Sequence, residues 1–218
     1  MALVCPAPSV GKPRHARRGS SRGVPSAIRH TLTILTILTT LTILSRNENI
    51  MTELFTVVVD SPVGALTVVT SDAGLRAVLW SADDPQRVPL DRSADRADHP
   101  VLVQAAHQLT EYFDGSRRDF DLPLDPTGTD FQQQAWAALR SIPYATTVSY
   151  GEQAKRMGDK RKARAVGAAN GRNPISIIVP CHRVVGSNGS LTGFAGGIET
   201  KDWLLTHERR VAGHTLDL

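Results

Sequence analysis

Two cysteines, Cys5 and Cys181, are all that the 218 residues contain. That is too few for a disulfide framework, and neither sits in the paired Cys/His spacing of a zinc site, so a reducing, cytoplasmic setting without a metal is expected. Membrane-length apolar sequence is missing as well. The Thr/Leu/Ile repeat "TLTILTILTTLTIL" at 31–44 is uncharged but falls short of the about 20 apolar residues that a span needs. No small-x-small cleavage site follows it, only "SRNENI", so the outline of a signal peptide is incomplete. What is present, 41% hydrophobic residues, suffices for at least one real core.

Charge is unevenly distributed. Residues 1–50 carry seven Lys/Arg against one acid, 51–130 six against fourteen, and 131–218 twelve against six. An acidic middle and a basic C-terminal part suggest two units with different partners. Within 140–183, nine basic residues face only Glu152 and Asp159. That concentration suits a polyanion such as nucleic acid, and equally a solvated basic face.

The first thirty residues are basic, rich in Pro, Gly and Ser, and lack apolar periodicity, so nothing in them offsets the entropy of ordering. Ordered-looking sequence begins at "MTELFTVVVDSPVGALTVVT". Residues 1–50 are therefore read as a disordered or untranslated extension, with Met51 as the true start, and Cys5 is set aside with them.

Beyond Met51, β-branched runs over 54–80 are broken at Ser61-Pro62-Val63-Gly64 and Ser71-Asp72-Ala73-Gly74, which predicts consecutive antiparallel strands. Residues 100–115 place Val101, Ala105, Leu109 and Tyr112 or Phe113 on one helical face and stop at Gly115. "RRDFDLPLDPTGT", 117–129, reads as a linker, dividing an N-terminal domain, 51–126, from a C-terminal one, 127–218. The second opens with a helix capped by Thr129 or Asp130, with Phe131, Ala135, Trp136 and Leu139 as its stripe, ended by Pro143. Ser149 and Glu152 form a capping-box pattern, Gly158 a C-cap, and Asp159 the cap of a second short helix reaching about Ala169. Two short helices about a tight turn make a helix-turn-helix, with Lys162 and Arg164 beside the small Ala165, Ala168 and Ala169. "NPISIIVP" reads as a buried strand delivering Cys181, His182 and Arg183 at its end, and a last helix returns Trp203, Leu204 and His207 or Glu208 to the core.

A lone cysteine in a β-branched run is ordinarily an inert small hydrophobe. A nucleophilic role needs a device that favours thiolate. His182 is adjacent, yet neighbours on a strand point to opposite faces. The pair cooperates only through a turn at Pro180-Cys181 or a bridging water. A thiol hydrolase is a further alternative, weakened because no cysteine begins a long helix.

The segments "IPYATTVSYGEQAKRMG" and "ARAVGAANGRNPISIIVPCHRVVGSNGSLTGFAGGIETKDWLLTHE", behind a small sheet, resemble the O6-alkylguanine-DNA alkyltransferases, the methylated-DNA:protein-cysteine methyltransferases. The similarity runs in order over 51–210, strongest from 131 onward. It implies an α/β protein: a small ribonuclease-H-like N-terminal sheet domain followed by a winged helix-turn-helix-like DNA-binding domain. It also implies direct repair, with the alkyl group of O6-alkylguanine, and O4-alkylthymine as a second candidate, moving from double-stranded DNA to Cys181. A soft thiolate suits a saturated carbon, and with nothing to hydrolyse the thioether each molecule acts once. No cofactor is needed.

By the same resemblance His182 is the base, acting through a water and oriented by Glu208. Tyr150 meets the leaving guanine's ring nitrogen, and Asn173 braces the active-site turn. Arg164 enters the stack as the nucleotide rotates out. Lys162, Ala165, Ala168, Arg172 and Arg183 are assigned to DNA with it, the small-residue helix lying in the minor groove. Val184, Phe194, Ala195 and Gly196 are assigned to the base pocket. Without the resemblance, Tyr150 would read as a packed aromatic, Arg164 as a phosphate contact and Asn173 as an Asn-Pro turn. Two positions depart from the family: Ala145 stands where glycine is frequent, and Ser176 where an apolar residue or proline is frequent. Alkyltransferase-like proteins that only sense lesions lack the cysteine, so a non-catalytic lesion binder is the rival. A monomer with no membrane partner, cytoplasmic and nucleoid-associated when acting, is expected, with clustering on DNA left open.

Overall fold

The computed structural model describes residues 53–90 and 93–213. The expectations for residues 1–50, including Cys5 and the start at Met51, lie outside the described residues. Three antiparallel strands, β1 (Leu54–Val59), β2 (Leu66–Ser71) and β3 (Gly74–Trp80), turn where the sequence breaks. A short β4 (Ser93–Asp95), not anticipated, adds parallel to β1 and completes the order β3-β2-β1-β4. Helix α1 (Pro100–Asp114) covers the sheet with Leu102, Ala105, Leu109 and Tyr112, and Val101 is only partly buried. It ends at Gly115, whose φ of 88° is one that glycine adopts without steric penalty.

Segment 117–129 is not a free linker. Leu75 N donates to Pro123 O at 2.8 Å, Asp125 N donates to Leu75 O at 2.8 Å, and the Asp125 carboxylate accepts from Ser71 Oγ at 2.7 Å and from Arg76. The chain is laced along β3 before α2 (Asp130–Leu139) begins. Thr129, not Asp130, caps that helix, in a reciprocal capping box with Gln132. Ser149 caps α3 (Tyr150–Arg156) by accepting from Glu152 N at 3.1 Å. After a single 3₁₀ turn at Lys160–Lys162, α4 (Ala163–Gly171) completes the helix-turn-helix.

The crossing of α3 and α4 is locked by two buried amides. Asn170 Nδ2 donates to Gln153 Oε1 at 2.7 Å, and Gln153 Nε2 returns a bond to Asn170 Oδ1 at 3.2 Å. Trp136 Nε1 ties α2 to Ala169 O at 2.9 Å. Two-residue strands β5 (Val148–Ser149) and β6 (Val184–Val185) pair in parallel, and α5 (Ile198–Val211) closes the core with Leu204 and Leu205.

The strand expected at 173–180 does not form. Apart from one bridge between Val78 and Ile175, the segment coils around the Asn173 side chain. Asn173 Oδ1 accepts from Ile175 N at 3.1 Å, and Nδ2 donates to Val179 O at 2.8 Å. One amide thus supplies bonds that a neighbouring strand would otherwise provide. Pro180, at φ −83° and ψ 65°, makes an inverse γ-turn in which Cys181 N donates to Val179 O at 2.8 Å. Cys181–Arg183 follow as a 3₁₀ turn, so Cys181 and His182 are not alternating strand residues.

Both departures noted in the sequence carry a physical signature. Ser176 Oγ is buried and has no hydrogen-bond partner among the described residues. Ala145 has a φ of 57°, in the left-handed region that favours glycine. Replacing Ala145 by Gly is expected to raise the unfolding free energy by roughly 0.5–1 kcal/mol, measured by urea denaturation; a loss of stability would contradict the strain.

Candidate active site

Cys181 is buried, 8% exposed, at the start of the 3₁₀ turn. Asn173 Nδ2 donates to its Sγ at 3.2 Å, from the same nitrogen that holds Val179 O. Burial pushes the thiol's pKa up, and the Asn173 bond with the positive charges of Lys201 and Arg87 only partly opposes it. At rest the group is therefore a thiol, not a standing thiolate.

His182 is fully buried, and its Nε2 lies 2.8 Å from Glu208 Oε1. Burial lowers the imidazole's pKa against the pull of the carboxylate, which makes a neutral ring the resting form. An ionised carboxylate only accepts, so Nε2 carries the hydrogen and Nδ1 carries the lone pair. Nδ1 is buried and has no hydrogen-bond partner among the described residues. The ring is thereby presented as a base at Nδ1.

Glu208 is fully buried on α5 and accepts from four residues on three segments. Oε1 takes His182, Tyr112 Oη at 2.9 Å and Arg183 Nη2 at 2.9 Å; Oε2 takes Ala145 N at 2.9 Å and Arg183 Nε at 3.1 Å. Burial alone would raise the carboxyl's pKa, but His182 and Arg183 outweigh it and hold it well below the usual carboxylate range.

Arg183, expected on DNA, is instead 6% exposed. Its guanidinium binds Glu208 and Ile142 O, the latter at 2.8 Å, leaving it turned inward as the counter-charge of a buried carboxylate. Val184, expected on the pocket wall, is fully buried; its side chain is core and its carbonyl accepts from Lys201 Nζ at 2.6 Å. Phe194 is partly buried, set edge-on to Trp80 at 5.5 Å and to His182 at 6.5 Å, with Ala195 exposed beside it. A Cβ on Gly196 would stand 2.7 Å from Trp80 Cε2, so only glycine lets this loop lie against the indole. Tyr150 Oη donates to Thr192 O at 3.3 Å, and burial raises its pKa.

Arg164, Ala165 and Ala168 share the exposed face of α4, while Val166, Ala169 and Asn170 face inward. Lys162, also exposed, stands with Nζ 5.9 Å from the Phe131 ring centroid. Arg172 is exposed and gives one N–H to Gln86 O at 2.9 Å. A cavity of about 450 Å³ between the sheet and α2 is lined by Arg76, Arg87, Trp136 and Arg172, and Cys181 is not part of its lining.

Sequence reasoning missed Tyr112, Trp80, Lys201 and Arg87, each of which makes a contact with a residue remote in the chain. Arg87 pairs with Asp83 and donates to Asn173 O. Lys201 proves fully buried, and its place one and two helical turns before Leu204 and Glu208, both read toward the core, is the sequence signal that could have found it. No cluster of His, Cys, Asp or Glu able to hold a metal ion occurs among the described residues. No helix among the described residues is long and apolar enough to cross a membrane.

Two family models match the chain: the ribonuclease-like domain of 6-O-methylguanine DNA methyltransferase over residues 54–126, and its DNA-binding domain over residues 130–210. A methylated-DNA–protein-cysteine methyltransferase of Mycobacterium tuberculosis is 47% identical over 161 residues, 73% of this chain and 95% of that protein. One from Methanosarcina acetivorans is 43% identical over 149 residues, 68% of this chain and 94% of that protein. The crystal structure of Mycobacterium tuberculosis OGT in complex with DNA aligns with a TM-score of 0.65 at 43% identity, covering 73% of this chain and 94% of that one.

The buried pair makes the fold acid-sensitive. Folded pKa values below the ordinary 6.5 of His182 and 4.5 of Glu208 mean that the unfolded chain binds more protons. The stability they contribute is complete above 6.5 and is lost as pH falls through that value and then through 4.5. Glu208→Gln, which strands Arg183 without its counter-charge, is expected to cost about 3 kcal/mol at neutral pH and to flatten the acid decline. A near-neutral effect in denaturant titrations would refute the carboxylate's central place.

Proposed function

The chain belongs to the 6-O-methylguanine DNA methyltransferase family, and on that premise we propose that it reverses DNA alkylation directly, taking the alkyl group of O6-alkylguanine onto Cys181 Sγ. The observation that carries the reading is a buried thiol one residue before a neutral imidazole whose Nδ1 lone pair has no hydrogen-bond partner among the described residues. In the proposed reaction the Cys181 proton passes through a bridging water to His182 Nδ1. As sulfur attacks the saturated carbon, the S–C bond forms, the C–O6 bond breaks, and its electron pair goes to the guanine ring system. The Tyr150 hydroxyl leaves Thr192 O to meet the ring nitrogen where that charge develops. The imidazolium formed meanwhile is balanced by Glu208.

A thiol with a raised pKa suits this role, because proton removal is then coupled to the arrival of substrate. Asn173 holds sulfur on its line of attack and favours the thiolate as it appears. The product is a thioether, so each molecule acts once, and the enzyme is consumed stoichiometrically. No cofactor enters any step.

DNA binding is the work of residues 127–218, with residues 51–126 as the ribonuclease-like part. Arg164, on the exposed face of α4, fills the stack left by the extruded nucleotide, while Ala165 and Ala168 let the helix backbone approach the minor groove. Lys162 and Arg172 neutralise phosphates. Phe194, Ala195 and Gly196 close the pocket over the flipped base. O4-alkylthymine is a second substrate, and the protein acts as a monomer.

Intact-protein mass spectrometry after incubation with a duplex carrying one O6-methylguanine tests the reading. The expected result is a gain of one methylene on Cys181, saturating at one per protein and absent in Cys181→Ser. Demethylated DNA with no mass gain, or an active serine variant, would overturn it. Arg164→Ala is expected to slow transfer from duplex about ten-fold, equivalent to about 1.4 kcal/mol of the unstacking cost that it no longer offsets, while leaving transfer from the free base unchanged. Equal losses on both substrates would remove Arg164 from nucleotide extrusion.

A further inference from the structure

We propose that Tyr112, on helix α1 of the ribonuclease-like part, is a positioning residue for the alkyl-acceptor site, its hydroxyl setting the Glu208 oxygen on which His182 is mounted. The inference rests on the proposed function for its kinetic readout only. Tyr112 is fully buried and donates at 2.9 Å to Oε1, the oxygen that also receives His182 Nε2 at 2.8 Å. Phenylalanine would fill the same volume. The hydroxyl's purpose is therefore the carboxylate, since a buried phenol oxygen without a partner would be a net loss.

The position of that hydroxyl is fixed from both ends of the residue. Its backbone carbonyl accepts from His207 Nε2 at 2.8 Å. Its ring is packed by Phe113 at 5.3 Å, Phe120 at 5.5 Å and Tyr144 at 6.2 Å. His207 is itself stacked on Trp203, 5.0 Å away and 7° from parallel. Burial and the neighbouring Glu208 charge raise the phenol's pKa well above its ordinary value, so it remains a donor throughout the working pH range.

The electrostatic consequence has a definite sign. Each donor on Oε1 disperses the carboxylate's charge and weakens its hold on an imidazolium. Without the Tyr112 hydroxyl, Glu208 is a stronger acceptor toward His182 and the imidazole becomes easier to protonate. The other charged or titratable groups facing the pair are Arg183 and Cys181 from the 3₁₀ turn, Lys201 from α5 and Tyr144 from the turn before β5. All of them are retained when only the hydroxyl is removed.

The test compares wild type, Tyr112→Phe and Phe120→Leu, the last losing packing on the ring while keeping the hydroxyl. Two quantities are measured: the pH at which the His182 ring titrates by NMR in DNA-free protein, and the single-turnover rate of methyl transfer from an O6-methylguanine duplex against pH. Tyr112→Phe is expected to move the His182 titration and the acid limb of the rate profile together to higher pH. It should also lower the plateau rate on the order of ten-fold, with duplex affinity unchanged. Phe120→Leu should lose stability without moving either titration. An unmoved His182 titration in Tyr112→Phe, or the same shift in Phe120→Leu, would overturn the proposal. Absence of any methyl transfer by wild type would instead defeat the proposed function, and the NMR titration would still decide the place of Tyr112.

Discussion

A single buried carboxylate organises this molecule. Glu208 has no contact with water, and removing a carboxylate from water costs several kcal/mol even after relaxation. The fold meets that cost with four donor residues from three separate segments: the phenol of α1, the Ala145 amide, and the 3₁₀ turn's His182 and Arg183, all converging on α5. None of these segments is free to move without unpairing a buried charge. The left-handed residue Ala145 is tied to the same carboxylate, its N–H donating to Oε2.

The chemistry of the site follows from what Glu208 does to its neighbours. By accepting from Nε2 it leaves the His182 lone pair on Nδ1, and burial keeps the ring neutral. By neutralising Arg183 it permits a guanidinium inside the core, which braces Ile142 O behind the site. On the other side of the turn, Asn173 replaces a sheet neighbour and touches sulfur with the same amide nitrogen. The thiol stays protonated at rest. In the proposed reaction that reserve protects a single-use nucleophile from stray electrophiles until a flipped base completes the site.

What was legible in the sequence was local. The turns between β1, β2 and β3, the Thr129 and Ser149 caps and the Gly115 stop each depend on residues within a few positions of one another. What was not legible depends on distant partners. Tyr112 and Glu208 are 96 positions apart, and no periodicity marks one as the other's donor. Arg183 in a basic segment reads as a DNA contact until its carboxylate, 25 positions on, is placed beside it. The apolar run at 173–180 has strand composition, yet the Asn173 amide takes over the backbone bonding and coils it. The family resemblance supplied Cys181, His182, Glu208, Tyr150 and Asn173 as a set; the bonds that pair Asn173 with Cys181 and Glu208 with His182 have no local pattern that marks them.

The most direct measurement is the nitrogen-15 NMR spectrum of the His182 ring in DNA-free protein at neutral pH, with assignment by comparison with a His182→Gln variant. The account predicts a neutral ring protonated at Nε2, with Nδ1 showing the shift of an unprotonated nitrogen. A charged imidazolium, or a proton on Nδ1, would contradict it, since Glu208 would then not be leaving the ring a lone pair on Nδ1.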